Sequence, residues 1–208
     1  MNQIKLFKSS FLNRLIFTNS LFAVSVYFFI ALTITVYGFF RVEIALSRGL
    51  LLVLAGLLIF SLVEYFTHRF LYHSDEDYAE NKNWQYLVHG IHHVYPKEHG
   101  LLALPIPFAL AINAVLFFLF SIVVGNDIYF LFPGFLSGYA TQLYIHYLVH
   151  TRKPPKNIFR FFWKHHMLHH YSSEKEAFGV ITPLWDMVFG TMPRKNRTSE
   201  DKIPEKLA

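Results

Sequence analysis

The sequence predicts an all-α integral membrane protein with about four transmembrane helices and a histidine-rich helical cap at one membrane face. Three observations predict it. Of 208 residues, 53% are hydrophobic and only 16% charged, whereas about a quarter are charged in ordinary soluble domains. Four apolar stretches each approach or exceed the roughly 20 residues that a helix needs to cross a bilayer. All twelve histidines lie between His68 and His170, outside the first apolar stretch and the terminal tail. The length suits a single domain, read as residues 1–208.

The first span is read at about 21–40, behind a basic segment containing Lys5, Lys8 and Arg14. It is longer than a signal-peptide core and no small-residue cleavage site follows it, so a retained helix is expected. The second span, about 50–66, carries Glu64 as its only charge. A polar stretch from Thr67 to Gly100 follows, with six histidines. The third and fourth spans, about 101–124 and 128–148, are separated only by Gly125, Asn126 and Asp127, which implies a tight antiparallel pair. Pro105 and Pro107 fall in the first turns of the third span, where a missing amide hydrogen matters least. The polar segment 194–208 reads as a flexible tail. Lysine and arginine bias places the N-terminus, the Thr67–Gly100 stretch and everything after Arg152 on the cytoplasmic side, with Arg41 and Arg48 opposing that rule.

Charge and cysteine usage narrow the chemistry. The formal charge is +5, but the basic residues flank apolar segments and crowd the region after Arg152. Attraction to anionic lipid headgroups accounts for that placement, and no nucleic-acid partner is expected. With no cysteine, the chain has no disulfide, thiolate zinc site or protein-bound iron–sulfur cluster. A bound metal has to be held by nitrogen or oxygen.

Ten histidines fall into four spaced groups: His68 and His73; His89, His92 and His93; His146 and His150; and His166, His169 and His170. Neutral imidazole is a strong ligand for iron, zinc, copper and nickel. Residues three or four apart share a helix face, so each H-x-x-H-H group can aim its imidazoles at one region. One metal takes four to six ligands, so ten imidazoles point to a dimetal site in the cytoplasmic cap. His99 and His165 stand outside the spacing. Metal-bound imidazoles usually donate their other ring hydrogen to a carboxylate or carbonyl. Glu64, four residues before His68, and Asp186 are the acids placed to support ligands in that way. Trp84, Tyr144, Trp163 and Trp185 could wall an acyl channel, although an interfacial aromatic belt explains most such residues.

The four groups read HRFLYH, HGIHH, HYLVH and HMLHH, and this set resembles the histidine boxes of the membrane fatty acid hydroxylase superfamily. The segments SLVEYFTHRFLYH, HGIHH and GVITPLWDMVFGT are similar to its fatty acid 2-hydroxylase branch, over roughly Leu50 to Met192. The resemblance implies that the ten grouped histidines are metal ligands. It also implies hydroxylation at C2 of a long acyl chain, either a free fatty acid or the N-acyl chain of a sphingolipid. Animal and fungal forms carry a cytochrome b5 domain for which this chain has no room. A separate electron donor is therefore expected, such as a cytochrome b5 or a ferredoxin-type protein.

Hydroxylating an unactivated C–H bond needs O2 and a redox-active metal, so two iron ions are expected, even where zinc occupies a purified sample. No catalytic side chain is required beyond the metal centre. The resemblance leaves sterol oxidase, carotenoid hydroxylase and desaturase activities open, because the pocket sets the substrate. A histidine-rich divalent-metal transporter and a non-catalytic scaffold are the alternatives from other classes. A transporter would place ionisable residues near the midplane of several spans, and these spans are nearly free of them.

Overall fold

The computed structural model describes residues 8–10, 13, 16–74 and 83–193. Lys5, Arg14 and the expected flexible tail at 194–208 lie outside the described residues. Among the described residues, seven α-helices are laid out, connected by tighter and wider turns, and no strand occurs. The long helices are α1 (Ser20–Arg41), α2 (Leu46–Phe66), α4 (Ile106–Val124) and α5 (Ile128–Thr151). The cap contains the short α3 (Ile91–Val94), α6 (Arg160–Tyr171) and α7 (Leu184–Val188).

Each long helix starts where its sequence allows. Asn19 caps α1, its side-chain oxygen accepting from Phe22 N at 3.0 Å, which satisfies one of the otherwise unpaired first-turn amides. The third apolar run, read from Leu101, becomes α-helical only at Ile106. Residues His99–Leu101 form a 3₁₀ turn and Pro105 caps α4 with extended backbone. Pro107 then sits in the first turn, where its missing N–H breaks no helical hydrogen bond.

Among the described residues, three stretches are long and apolar enough to cross a membrane: Ser20–Arg41, Leu46–Tyr72 and the 53-residue His99–Thr151. The last is folded back on itself at Gly125–Asp127. Gly125 has φ +57°, a left-handed conformation that costs glycine little. The reversal sets Phe117 edge-on to Phe132 and Phe120 edge-on to Phe135, with ring centroids 5.2 and 5.4 Å apart. With 19 and 24 residues, the two arms measure about 28 and 36 Å. Each matches the roughly 30 Å hydrocarbon layer.

Helix α5 is the hub against which α1 and α2 pack most extensively, with α4 folded alongside. Small residues let α2 and α5 approach backbone to backbone. A Cβ on Gly56 would overlap Leu131 O, and one on Gly134 would overlap Val53 O. Close packing of this kind holds helices together where lipid removes the hydrophobic driving force between them. The outward faces are apolar: Phe29, Phe40, Leu51, Phe118 and Val123 are all exposed. Faces this apolar on the long helices fit lipid and not water, so the chain is a membrane protein. Arg48 is paired with Asp127 at 2.7 Å, tying the start of α2 to the α4–α5 turn.

Candidate metal centre

The histidines meet where the long helices give way to the cap. The continuation of α2 widens into a π-helical turn, Thr67–Tyr72. On an α-helix, residues five apart would point about 140° away from each other. The wider turn brings His73 back toward His68, with ring centroids 5.1 Å apart. Such turns are uncommon and often mark functional sites. A second π-helical turn, Tyr86–Gly90, carries His89 and leads into α3 with His92 and His93. The last turns of α5 present His146 and His150, and α6 presents His166, His169 and His170.

These ten side chains form two sets of five. His68, His73, His89, His93 and His169 make the first, and His92, His146, His150, His166 and His170 the second. Within each set the ligand atoms lie within 4.8 Å of one another. The H-x-x-H-H groups are therefore divided, and do not each converge on one region as their spacing suggests. His89 and His93 join the first set while His92 joins the second. His166 and His170 join the second while His169 joins the first. Positions i and i+4 differ by about 40° around a helix, whereas i+3 lies about 60° to the other side. Each group thus straddles both sets.

The atoms that converge are ring Nε2. The pairs His68–His89, His89–His93 and His73–His169 are separated by 3.1, 2.9 and 3.1 Å. In the second set His92 lies 2.9 Å from His146 and 3.1 Å from both His150 and His170. Two nitrogens bound about 2.1 Å from one ion at right angles would be about 3.0 Å apart. The other ring nitrogen fixes the tautomer. Nδ1 of His68, His169 and His146 faces the carbonyl oxygens of Phe178, Glu176 and Leu102, which can only accept. Nδ1 must donate, leaving the Nε2 lone pair to point inward. Converging lone pairs repel unless a cation lies between them, so both sets fit a metal.

Burial acts in the same direction. It holds His89, His92, His166, His169 and His170 well below the ordinary imidazole value, and neighbouring imidazoles add to the effect. The rings are thus neutral and ready to ligate. The two sets differ in what stands behind them. Glu174 lies 3.3 Å from His73 Nδ1 and 3.4 Å from His93 Nδ1, placing a carboxylate behind the first set. In the second, Nδ1 of His92, His166 and His170 is buried without a hydrogen-bond partner. Sequence reasoning missed Glu174, whose only signal is its place four residues after His170.

Glu64 and Asp186 stand one step further back. Glu64 accepts from Val180 N at 2.9 Å. Asp186, fully buried, accepts from Phe178 N, Gly179 N and Thr191 Oγ1, and pairs with His165 Nε2 at 3.0 Å. Both hold the segment around Phe178, whose carbonyl orients His68, and neither is hydrogen-bonded to a clustered histidine. His99 is outside both sets and exposed.

A cavity of about 480 Å³ adjoins the two sets, and His68, His89, His92, His146 and His166 form one end of it. The remainder is mostly apolar, with walls from α2, α4 and α5. Trp84 lines it, while Tyr144, Trp163 and Trp185 do not.

A sequence model of the fatty acid hydroxylase family matches residues 53–191, which include all ten clustered histidines. Dihydroceramide fatty acyl 2-hydroxylase FAH1 of Arabidopsis thaliana is 33% identical over 144 residues, covering 68% of this chain and 60% of that protein. Fatty acid 2-hydroxylase of Rattus norvegicus is 34% identical over 143 residues, covering 66% of this chain and 38% of that protein. The match thus spans about 60% of the plant relative and well under half of the rat one. A solved structure described as full-length scs7p, with only its hydroxylase domain visible, superimposes with a TM-score of 0.79 at 26% identity. It covers 89% of this chain and 70% of that one. The chain belongs to the fatty acid hydroxylase family.

Proposed function

We propose that this chain is an O2-dependent lipid hydroxylase that adds a hydroxyl group at C2 of a long acyl chain, free or amide-linked, at a histidine-bound di-iron centre. The observation that carries this reading is the position of the two five-histidine sets, at one end of an apolar cavity between membrane-length helices. The names of the Arabidopsis and rat relatives agree with it.

His68, His73, His89, His93 and His169 would hold one ion, and His92, His146, His150, His166 and His170 the other. The all-imidazole donor set suits zinc as well as iron, but only iron of the two has the accessible redox change. The ion pair would supply the activation of O2 that C–H hydroxylation needs. The chain's own residues bind and position. Along α5, Phe135 to His146 spans about 16 Å, and both residues line the cavity. An acyl tail resting against Phe135 and Leu116 would therefore extend toward the histidines and leave its polar end beside them. Apolar walls of Phe60, Leu143 and Val180 keep water from the reacting carbon.

Lysine and arginine distribution supports a cytoplasmic metal site. Arg152, Lys153, Lys156, Arg160 and Lys164 follow α5 at the histidine end, where the positive-inside rule puts the cytoplasm. Electrons would come from a separate donor such as a cytochrome b5 or ferredoxin-type protein. Anaerobic iron loading followed by incubation with O2, reductant and candidate lipids tests the proposal. A 2-hydroxy acyl product is expected, and a new double bond without hydroxylation would overturn it.

A further inference from the structure

The cavity is not closed by protein on every side. Helices α2 and α4 both supply its walls, yet they scarcely approach each other, each packing instead on α5. A slot is left between them. The cavity-lining residues along that slot are apolar and open to the surroundings: Leu71 is 50% exposed, Trp84 52%, Phe108 54% and Ile112 40%. Deeper lining residues are sealed, with Phe135 and Leu143 each 3% exposed.

The slot lies within the lipid-facing surface. The two helices on either side of it belong to stretches able to cross a membrane, and both carry exposed apolar residues, Leu54 and Leu58 on α2 and Val115 and Leu119 on α4. A passage meant for an acyl group handed over from water would expose its apolar rim at a cost of roughly 25 cal/mol per Å². A rim facing acyl tails has no such cost. We propose that the substrate enters sideways from the bilayer, its acyl chain passing between α2 and α4 beneath Trp84, with Phe108 and Ile112 as the threshold. The inference rests on the lipid-substrate reading above and names the source of that lipid.

The test needs no turnover. The metal-loaded protein in nanodiscs containing a lipid with a photoactivatable diazirine in its acyl chain is irradiated, and adducts are mapped by mass spectrometry. Adducts on the sealed residues Phe135 and Leu143 are expected in the unaltered protein. They should be lost in Ile112→Trp, which narrows the slot, and kept in Ile122→Trp, which alters the lipid-facing side of α4 away from the cavity. Metal content reports whether Ile112→Trp has folded. If it has not, Phe108→Ala decides, because widening the threshold should increase interior adducts. Interior adducts that persist at the unaltered level in metal-loaded Ile112→Trp, or that do not rise in Phe108→Ala, would overturn lateral access while leaving the hydroxylase reading intact. Adducts confined to outer residues such as Ile122 in the unaltered protein would overturn both.

Discussion

Replacing one histidine should empty one metal position and spare the other. His89 and His92 are three residues apart, but their Nε2 atoms point into different sets. Each is central to its own: His89 Nε2 lies within 3.1 Å of His68 and His93, and His92 Nε2 within 3.1 Å of His146, His150 and His170. A four-ligand structural zinc binds with an apparent free energy of about 10–16 kcal/mol, or roughly 3 kcal/mol per donor. Loss of one donor should then weaken that ion on the order of 10²-fold. After dialysis against a weak chelator, elemental analysis should find about two equivalents in the unaltered protein, one in His89→Ala, one in His92→Ala and close to none in the double variant. His99→Ala, outside both sets, should retain two. Each single variant should also lose hydroxylation, since the proposed chemistry needs both ions. If His92→Ala loses both equivalents while remaining folded, the division into five and five is wrong.

Glu174→Ala should weaken only the ion held by the set containing His73 and His93, by about 10–100-fold, the usual effect of removing a hydrogen-bonding group behind a ligand. Metal titration would show this, and equal weakening of both ions would contradict the assigned geometry. Gly134→Ala should cost about 1–3 kcal/mol by forcing α2 and α5 apart, because the added Cβ would meet Val53 Cα at 2.9 Å as well as overlap Val53 O. An unchanged melting temperature in detergent would argue against that helix contact. The metal-free protein should lose stability in acid. His89, His92, His166, His169 and His170 have folded-state values well below 6.5, so below about pH 6.5 the unfolded chain binds protons that the folded chain does not. Stability is full above that pH and falls beneath it, by up to about 1.4 kcal/mol per histidine per unit. Melting at pH 7.5, 6.5 and 5.5 checks the sign, and a rise in melting temperature toward pH 5.5 would refute it.

Much of this arrangement was legible in the sequence because its cues are local. The apolar run ending at Phe66, the Gly125–Asp127 reversal and the prolines at 105 and 107 each act within a few residues of themselves. The histidine spacing announced a metal centre for the same reason. How the ten histidines divide into two sets was not legible, since that depends on which helices face one another. The spacing of His89, His92 and His93 allows all three to meet or to separate, and only the approach of α5 and α6 draws His92 away. The π-helical turn at Thr67–Tyr72 was equally hidden: the apolar pattern is that of an α-helix, and the ligand geometry at His73 is what the wider turn serves. Glu174 was hidden because its one local cue, a place four residues after His170, is one that a surface acid shares.

The two parts of the molecule are held together differently. The membrane helices share a core around Tyr27, Phe60, Phe132, Phe135 and Leu136, and glycine contacts let their backbones interlock. The cap has much less: a cluster of Tyr86, Ile91 and Leu101, with Ile16 and Phe17 against it. Of the four buried residues on α6, three are histidines, His165, His166 and His169. An imidazole buries little apolar surface and repels its neighbours when its lone pair points at theirs. The interior of the cap therefore gains little from burial and depends on what the nitrogens bind. Because each H-x-x-H-H group contributes to both sets, an ion in either set links the Tyr86–Val94 segment to α6. The first set also reaches the continuation of α2, and the second reaches the end of α5. Metal binding free energy is folding free energy wherever the site does not exist in the unfolded chain. Dividing each histidine group between the two sets thus makes the same ions that would carry the chemistry also fasten the cap to the membrane helices.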